Sequence, residues 1–176
     1  YFSLYQKTNE IEYLEKGESL IRWLLDNPSP GCNKLCWGYN FMWQNTIFLQ
    51  DEFEPNAVVS IFVGEALIHA YRVTQKEEYL NAACSVADFI VEDLPVLYDS
   101  KDELAIAYVL RKVDAIVLNN QVLAGAFLSK VWKHTGVGKL LGLCLGKKHF
   151  SLLRLFALAW QRIHGQKALT ILILVW

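Results

Sequence analysis

The chain has 176 residues, 53% of them apolar and 13% aromatic, with a net charge of −1. That length suits one domain with a sizeable core, and that apolar content excludes a disordered chain. Near-neutral charge gives no overall attraction to nucleic acid or to an anionic membrane, so neither is expected as a partner.

The spacing predicts a first helix over residues 9–26. Asn9 and Glu12 stand at capping-box distance, and Ile11, Leu14, Ile21, Leu24 and Leu25 form a partial apolar stripe. Asn27-Pro28-Ser29-Pro30-Gly31 ends it with breaker chemistry. Residues 32–54 read as a long irregular loop. It holds Trp37, Tyr39, Phe41 and Trp43, then Asp51, Glu52 and Glu54. A loop this long in one domain is functional or disordered, and its aromatics argue against disorder.

Residues 55–94 are the clearest unit, an αα-hairpin. Val59, Phe62, Val63, Ala66, Leu67, Ala70 and Tyr71 make one helical face. Leu80, Ala83, Cys84, Ala87, Ile90 and Leu94 make another. Pro55 suits a first-turn position, Thr74 and Glu77 have capping-box spacing, and Pro95 stops the second helix. Residues 96–98 and 104–110 read as the strands of a small β-hairpin, with Asp99-Ser100-Lys101-Asp102 as its turn. A further helix begins at Asn119, with Leu123, Ala124, Phe127, Leu128, Val131 and Trp132 on one face.

That helix echoes the first helix of the hairpin. Gly64-Glu65-Ala66-Leu67 aligns with Gly125-Ala126-Phe127-Leu128, and Thr74 with Thr135, at a constant offset of 61 residues. Repeated hairpins imply an array or a ring, since each has an apolar face it cannot bury alone. Gly64 and Gly125 are expected to admit close neighbours. Beyond residue 135 the pattern breaks. All eighteen acidic residues lie between Glu10 and Asp114, so residues 1–135, with eleven Lys and Arg, carry −7, whereas residues 136–176 carry +6. The expected division is therefore residues 1–135 as the hairpin unit and residues 136–176 as an atypical segment. A shifted reading frame or a truncated end is the expectation for that segment.

Cys32, Cys36, Cys84 and Cys144 include no second pair at metal-ligand spacing, so free thiols, no metal and no cofactor are expected. The start of the chain shows no basic-then-apolar leader, and no apolar run reaches the roughly 18 residues of a membrane span. A cytoplasmic location is the corresponding expectation.

Trp37-Gly38-Tyr39-Asn40-Phe41-Met42-Trp43, Pro55-Asn56, Phe62-Val63-Gly64-Glu65-Ala66-Leu67 and Tyr79-Leu80 resemble the VpsJ-type proteins found with bacterial polysaccharide biosynthesis. These are (α/α) toroids, related in fold to six-hairpin glycosidases. The family's Ser-Tyr-Thr-Pro segment, aspartate and Asn-rich helix start read here as Ala107-Tyr108-Val109-Leu110, Asp114 and Asn119-Asn120. The resemblance covers residues 10–135 and implies an all-α fold, a partial (α/α) toroid of αα-hairpins with a minor β-hairpin.

The resemblance also implies a glycan site where loops converge on the N-termini of inner helices. Trp37, Tyr39 and Trp43 are then sugar-stacking rings or core anchors. Asn56, Tyr108, Asn119 and Asn120 are candidate hydroxyl contacts, although the asparagines equally suit helix caps. Glycosidic chemistry needs two carboxylates across one cleft, and Asp51 with Asp114 is the candidate pair. The second reading is a non-catalytic helical-repeat module that binds protein partners. Exposed apolar surface in either case gives copies of the chain a route to associate.

Overall fold

The most apolar helical stretch of the sequence is also the most enclosed. In the computed structural model, which describes residues 1–100, 104–113 and 115–135, α3 spans Ala57–Thr74 and buries Val58, Ile61, Val63, Leu67, Ile68 and Ala70 among others. Val58, Ile61 and Ile68 lie off the predicted stripe, and Phe62, predicted to lie on it, is 60% exposed. The reason is that α3 has neighbours on several sides. It packs against α1 (Phe2–Thr8), α2 (Ile11–Asp26), α4 (Glu77–Asp88) and α5 (Leu118–Thr135). A helix so surrounded has no need of a single apolar stripe. By length and composition α3 is apolar enough to cross a membrane, yet half of it is buried inside the fold, as expected of a core helix.

The boundaries of α3 follow local chemistry. Asn56 is the N-cap, its Oδ1 accepting from the Val59 amide at 2.8 Å. Pro55 therefore precedes the cap instead of occupying the first turn. At the other end Gln75 adopts the left-handed conformation, φ 58°. The predicted Thr74–Glu77 capping box does not form, because Thr74 is still helical. Its hydroxyl donates to the Ala70 carbonyl at 2.8 Å, and Lys76 is the N-cap of α4.

α4 continues into a π-helical turn, Phe89–Asp93, that buries Phe89, Ile90 and Val91. Leu94 is then extended, at φ −69° and ψ 130°, as a residue before proline must be. β3 (Val96–Asp99) and β4 (Leu104–Ile106) pair antiparallel, with Val96 opposite Ile106 and Asp99 opposite Leu104. The predicted β-hairpin is present, but its second strand ends at Ile106 and not at residue 110, Asp99 belongs to β3 and not to the turn, and Lys101 and Asp102 of the expected turn lie outside the described residues.

The N-terminal region differs from expectation. Residues 2–8 form α1, and Asn9 is its left-handed C-cap at φ 60°. Asn9 cannot then cap α2, whose N-cap is Glu10 with no side-chain bond. The asparagine served the end of one helix instead of the start of the next.

α5 lies parallel to α3. Gly64 meets the Phe127 ring, Glu65 pairs with Lys130 at 2.7 Å, and the Tyr71 and His134 rings are 5.6 Å apart. These contacts advance together along both helices, which fixes the direction. A Cβ at Gly64 would sit 2.5 Å from the Phe127 ring, so only glycine admits that ring. Gly125 has no described atom within 4 Å of its Cβ position; the shared packing reason expected of the two glycines holds for Gly64 alone. Phe89, Phe127, Ile61, Leu67, Ile90 and Leu128 are fully buried among α3, the α4–π turn unit and α5. Full burial of such side chains contributes about 1.5–3 kcal/mol each. Among the described residues the fold is mainly α-helical, with five α-helices and two two-stranded sheets. Asp114 and residues 136–176, on which the reading-frame expectation falls, lie outside the described residues.

Candidate functional site

The N-termini of α3 and α5 are tied to one short segment, residues 106–109. The Ala57 amide donates to the Tyr108 carbonyl at 2.9 Å, and Asn56 forms an isolated antiparallel bridge with Val109. From the other helix, Asn120 Nδ2 donates to the Ala107 carbonyl at 3.2 Å. The Gln121 side chain brackets Ile106, accepting from its amide and donating to its carbonyl, both at 2.9 Å. α5 begins at Leu118, so neither Asn119 nor Asn120 is its N-cap. Asn119 Oδ1 accepts from the Asn120 amide at 3.0 Å, while Asn120 is fully buried.

The aromatic loop is fastened to this junction at its two ends. Trp37 is only 5% exposed. Its indole Nε1 donates to the Leu24 carbonyl at 3.0 Å, and its backbone is bracketed by Ser60 Oγ, which accepts from the Trp37 amide at 2.9 Å and donates to its carbonyl at 3.2 Å. Trp37 is thus a core anchor and presents no ring face for stacking. The Trp37 carbonyl also accepts from the Asn56 amide at 3.1 Å, and the Tyr39 carbonyl from the Phe53 amide at 2.6 Å. Gly38 lies against the backbone of Glu54, where any Cβ would fall inside van der Waals contact of the carbonyl. The loop closes there because residue 38 has no side chain.

Between those ends the loop is less irregular than expected. β1 (Trp43–Gln44) pairs with β2 (Leu49–Gln50). Asn45 Oδ1 organises the turn by accepting from the Ile47 and Phe48 amides at 2.7 and 2.8 Å. Glu54 and Arg111 hold the second strand down. Arg111 Nε lies 2.9 Å from Glu54 Oε1, its Nη2 donates to the Leu49 carbonyl, and its guanidinium lies 5.3 Å from the Phe48 ring centre.

What this frame presents is a group of three rings. Tyr39 stacks on Phe41 at 5.3 Å, and Trp43 sits 6.1 Å from Tyr39 and 6.4 Å, edge-on, from Phe41. Phe41 and Trp43 are 49% and 48% exposed, and Tyr39 is half-buried. The Tyr39 hydroxyl reaches that of Tyr108 at 3.3 Å. Burial first, then the Tyr39 hydroxyl, pushes the Tyr108 phenol up, so Tyr108 is a neutral donor near neutral pH.

Three buried amides in the same junction have one end committed and the other without a partner among the described residues. Gln50 Nε2 donates to the Glu54 carbonyl at 2.7 Å, leaving Oε1. The Asn56 cap leaves Nδ2, and the Asn120–Ala107 bond leaves Oδ1. The committed bonds fix which atom is oxygen and which nitrogen.

Asp51 is exposed, on a turn where the Glu54 amide donates to its carbonyl and its own amide donates to Glu54 Oε2, both at 3.1 Å. Its expected partner Asp114 lies outside the described residues. Among the described residues no cluster of His, Cys, Asp and Glu is arranged to hold a metal. Sequence reasoning passed over Phe41, Gln50, Ser60 and Arg111. Phe41 had a signal, since Tyr39, Phe41 and Trp43 alternate and so share one side of an extended segment. Arg111 had none, being 57 positions from Glu54.

No protein-family model, curated protein or solved structure matches the chain.

Proposed function

We propose that the chain binds a glycan across Tyr39, Phe41 and Trp43, and that its parallel helices α3 and α5 belong to an (α/α) toroid with this surface at the helix N-termini. The observation that carries the reading is the three-ring group, with Phe41 and Trp43 about half exposed and Tyr39 half-buried, on a loop fastened at both ends. Sugar rings have flat, partly apolar faces that stack on aromatic rings. Exposed rings ordinarily lose side-chain freedom on binding, and here mutual packing has already restricted them. Beside them, the Tyr108 hydroxyl, 3.3 Å from that of Tyr39, is the kind of uncharged polar group that reads hydroxyls. The reading is binding.

A neutral oligosaccharide panel on an array, followed by calorimetry of each hit, tests this. Trp43→Ala is expected to weaken binding about two- to twelvefold, the loss of one aromatic contact of roughly 0.5–1.5 kcal/mol. No binding to any glycan on a broad array contradicts the reading. One observation favours a second reading, a module that docks protein partners or a further copy of the chain. Met42, Ile47, Leu49 and Phe53 are also exposed on this loop, which extends the apolar surface beyond one sugar ring.

A further inference from the structure

We propose that the ring group prefers a glycan bearing free amino groups, whose positive charge is drawn by the carboxylates of Asp51 and Glu52; this rests on the glycan reading above and names the class of sugar. The backbone fixes where the carboxylates stand. Trp43 pairs with Gln50 across the β1–β2 ribbon, and the Phe53 amide returns to the Tyr39 carbonyl at 2.6 Å. Asp51 and Glu52 fill the interval between these two ties. Paired strand residues lie about 4.5–5.5 Å apart and successive Cα atoms about 3.8 Å apart, which puts the Cα of Asp51 within about 10 Å of that of Trp43. Glu52 is one residue from the tie to Tyr39. An exposed charge acts over about 8 Å at physiological ionic strength and further at low salt, so a ligand on the rings feels both acids.

Their charge is not neutralised within the fold. Both side chains are exposed, and among the described residues neither forms an ion pair. The loop's third acid differs, since Glu54 is held by Arg111 Nε at 2.9 Å. No Lys or Arg occurs between Leu35 and Tyr71, and the exposed Lys112 pairs with neither Asp51 nor Glu52. The rings act in the same direction. The face of an aromatic ring attracts a cation, tryptophan most strongly, and Trp43 and Phe41 are about half exposed. An amino sugar therefore gains from the rings and from the acids, whereas a neutral sugar gains from stacking alone. An acidic sugar is repelled. Arg111 does not offset this, because its Nε and Nη2 are committed to Glu54 and to the Leu49 carbonyl.

Two probes isolate the charge. Cellotetraose and the β-1,4-linked glucosamine tetramer share one backbone and differ on each ring only in a hydroxyl or an ammonium group at C2. Calorimetry on the full chain, at low salt and mildly acidic pH where the amines are charged, compares them. The glucosamine tetramer is expected to bind about three- to twentyfold tighter, the product of an exposed cation–π contact and exposed ion pairing. Added sodium chloride is expected to shrink that ratio. The double variant Asp51→Asn/Glu52→Gln is close to isosteric and breaks no ion pair. It is expected to lower the ratio to about two- to fivefold, the part left to the rings. Trp43→Ala is expected to weaken binding of the glucosamine tetramer. Equal affinities, tighter binding of cellotetraose, an unchanged ratio in the double variant, undiminished binding in Trp43→Ala, or no binding of the glucosamine tetramer overturns the proposal. Each of these outcomes leaves the glycan reading to the array, which contradicts it only when no glycan binds.

Discussion

Gly64 and Gly125 make the sharpest comparison between single positions. They align in sequence and share a helix register, yet one faces a ring and the other faces open space among the described residues. Gly64→Ala forces Phe127 aside and is expected to cost about 1–3 kcal/mol. Gly125→Ala is expected to stabilise by about 0.5–1 kcal/mol, since alanine is the better helix former. Urea denaturation of both variants checks the pair; equal effects would contradict this packing. The histidines make a prediction in pH. Burial, then the Arg72 charge, holds His69 and His134 below the ordinary value of 6.5. On acidification through that value the unfolded chain takes up protons first, so stability falls, and above it neither histidine contributes. The double variant His69→Gln/His134→Gln is expected to flatten this part of the stability–pH curve, as followed by urea midpoints.

The helices and turns divide into those written locally and those decided by neighbours. The hairpin of α3 and α4, the β3–β4 hairpin and the existence of α5 were legible, because period, proline and asparagine chemistry agreed within each stretch. The caps were less so. Asn9 and Thr74 each had a partner three residues on, and each was claimed instead by the preceding helix. Which side of α3 is buried was also illegible, since it depends on four other helices. The loop 38–54 shows the same division. Its aromatics were visible, but Ser60 as the clasp on Trp37 was not, because a mid-helix serine has many bland uses. Ser60→Ala leaves the buried Trp37 amide unpaired. It is expected to lower stability by about 1–3 kcal/mol and to speed amide exchange at Trp37 more than in α4. Unchanged exchange would remove Ser60 from the fastening of the loop.

At the level of the assembled fold, two long helices run side by side with their N-termini tied to the segment 106–109, and the aromatic loop is fastened beside them. The contacts at Gly64, Glu65 and Tyr71 supply a physical reason for the parallel arrangement of the two helices. The candidate site was legible in part. Tyr39 and Trp43 join Phe41 in the ring group, Trp37 is in the core, and Asp51 lies on a turn. Burial separates these four residues, and no motif encodes burial. The most direct test is saturation-transfer difference NMR with each glycan that the array selects, on the native chain and on Trp43→Ala. The proposal predicts transfer to protons on one face of a sugar ring, greatly reduced in the variant while its circular dichroism is unchanged. Equal transfer in both proteins would place the glycan elsewhere and contradict it.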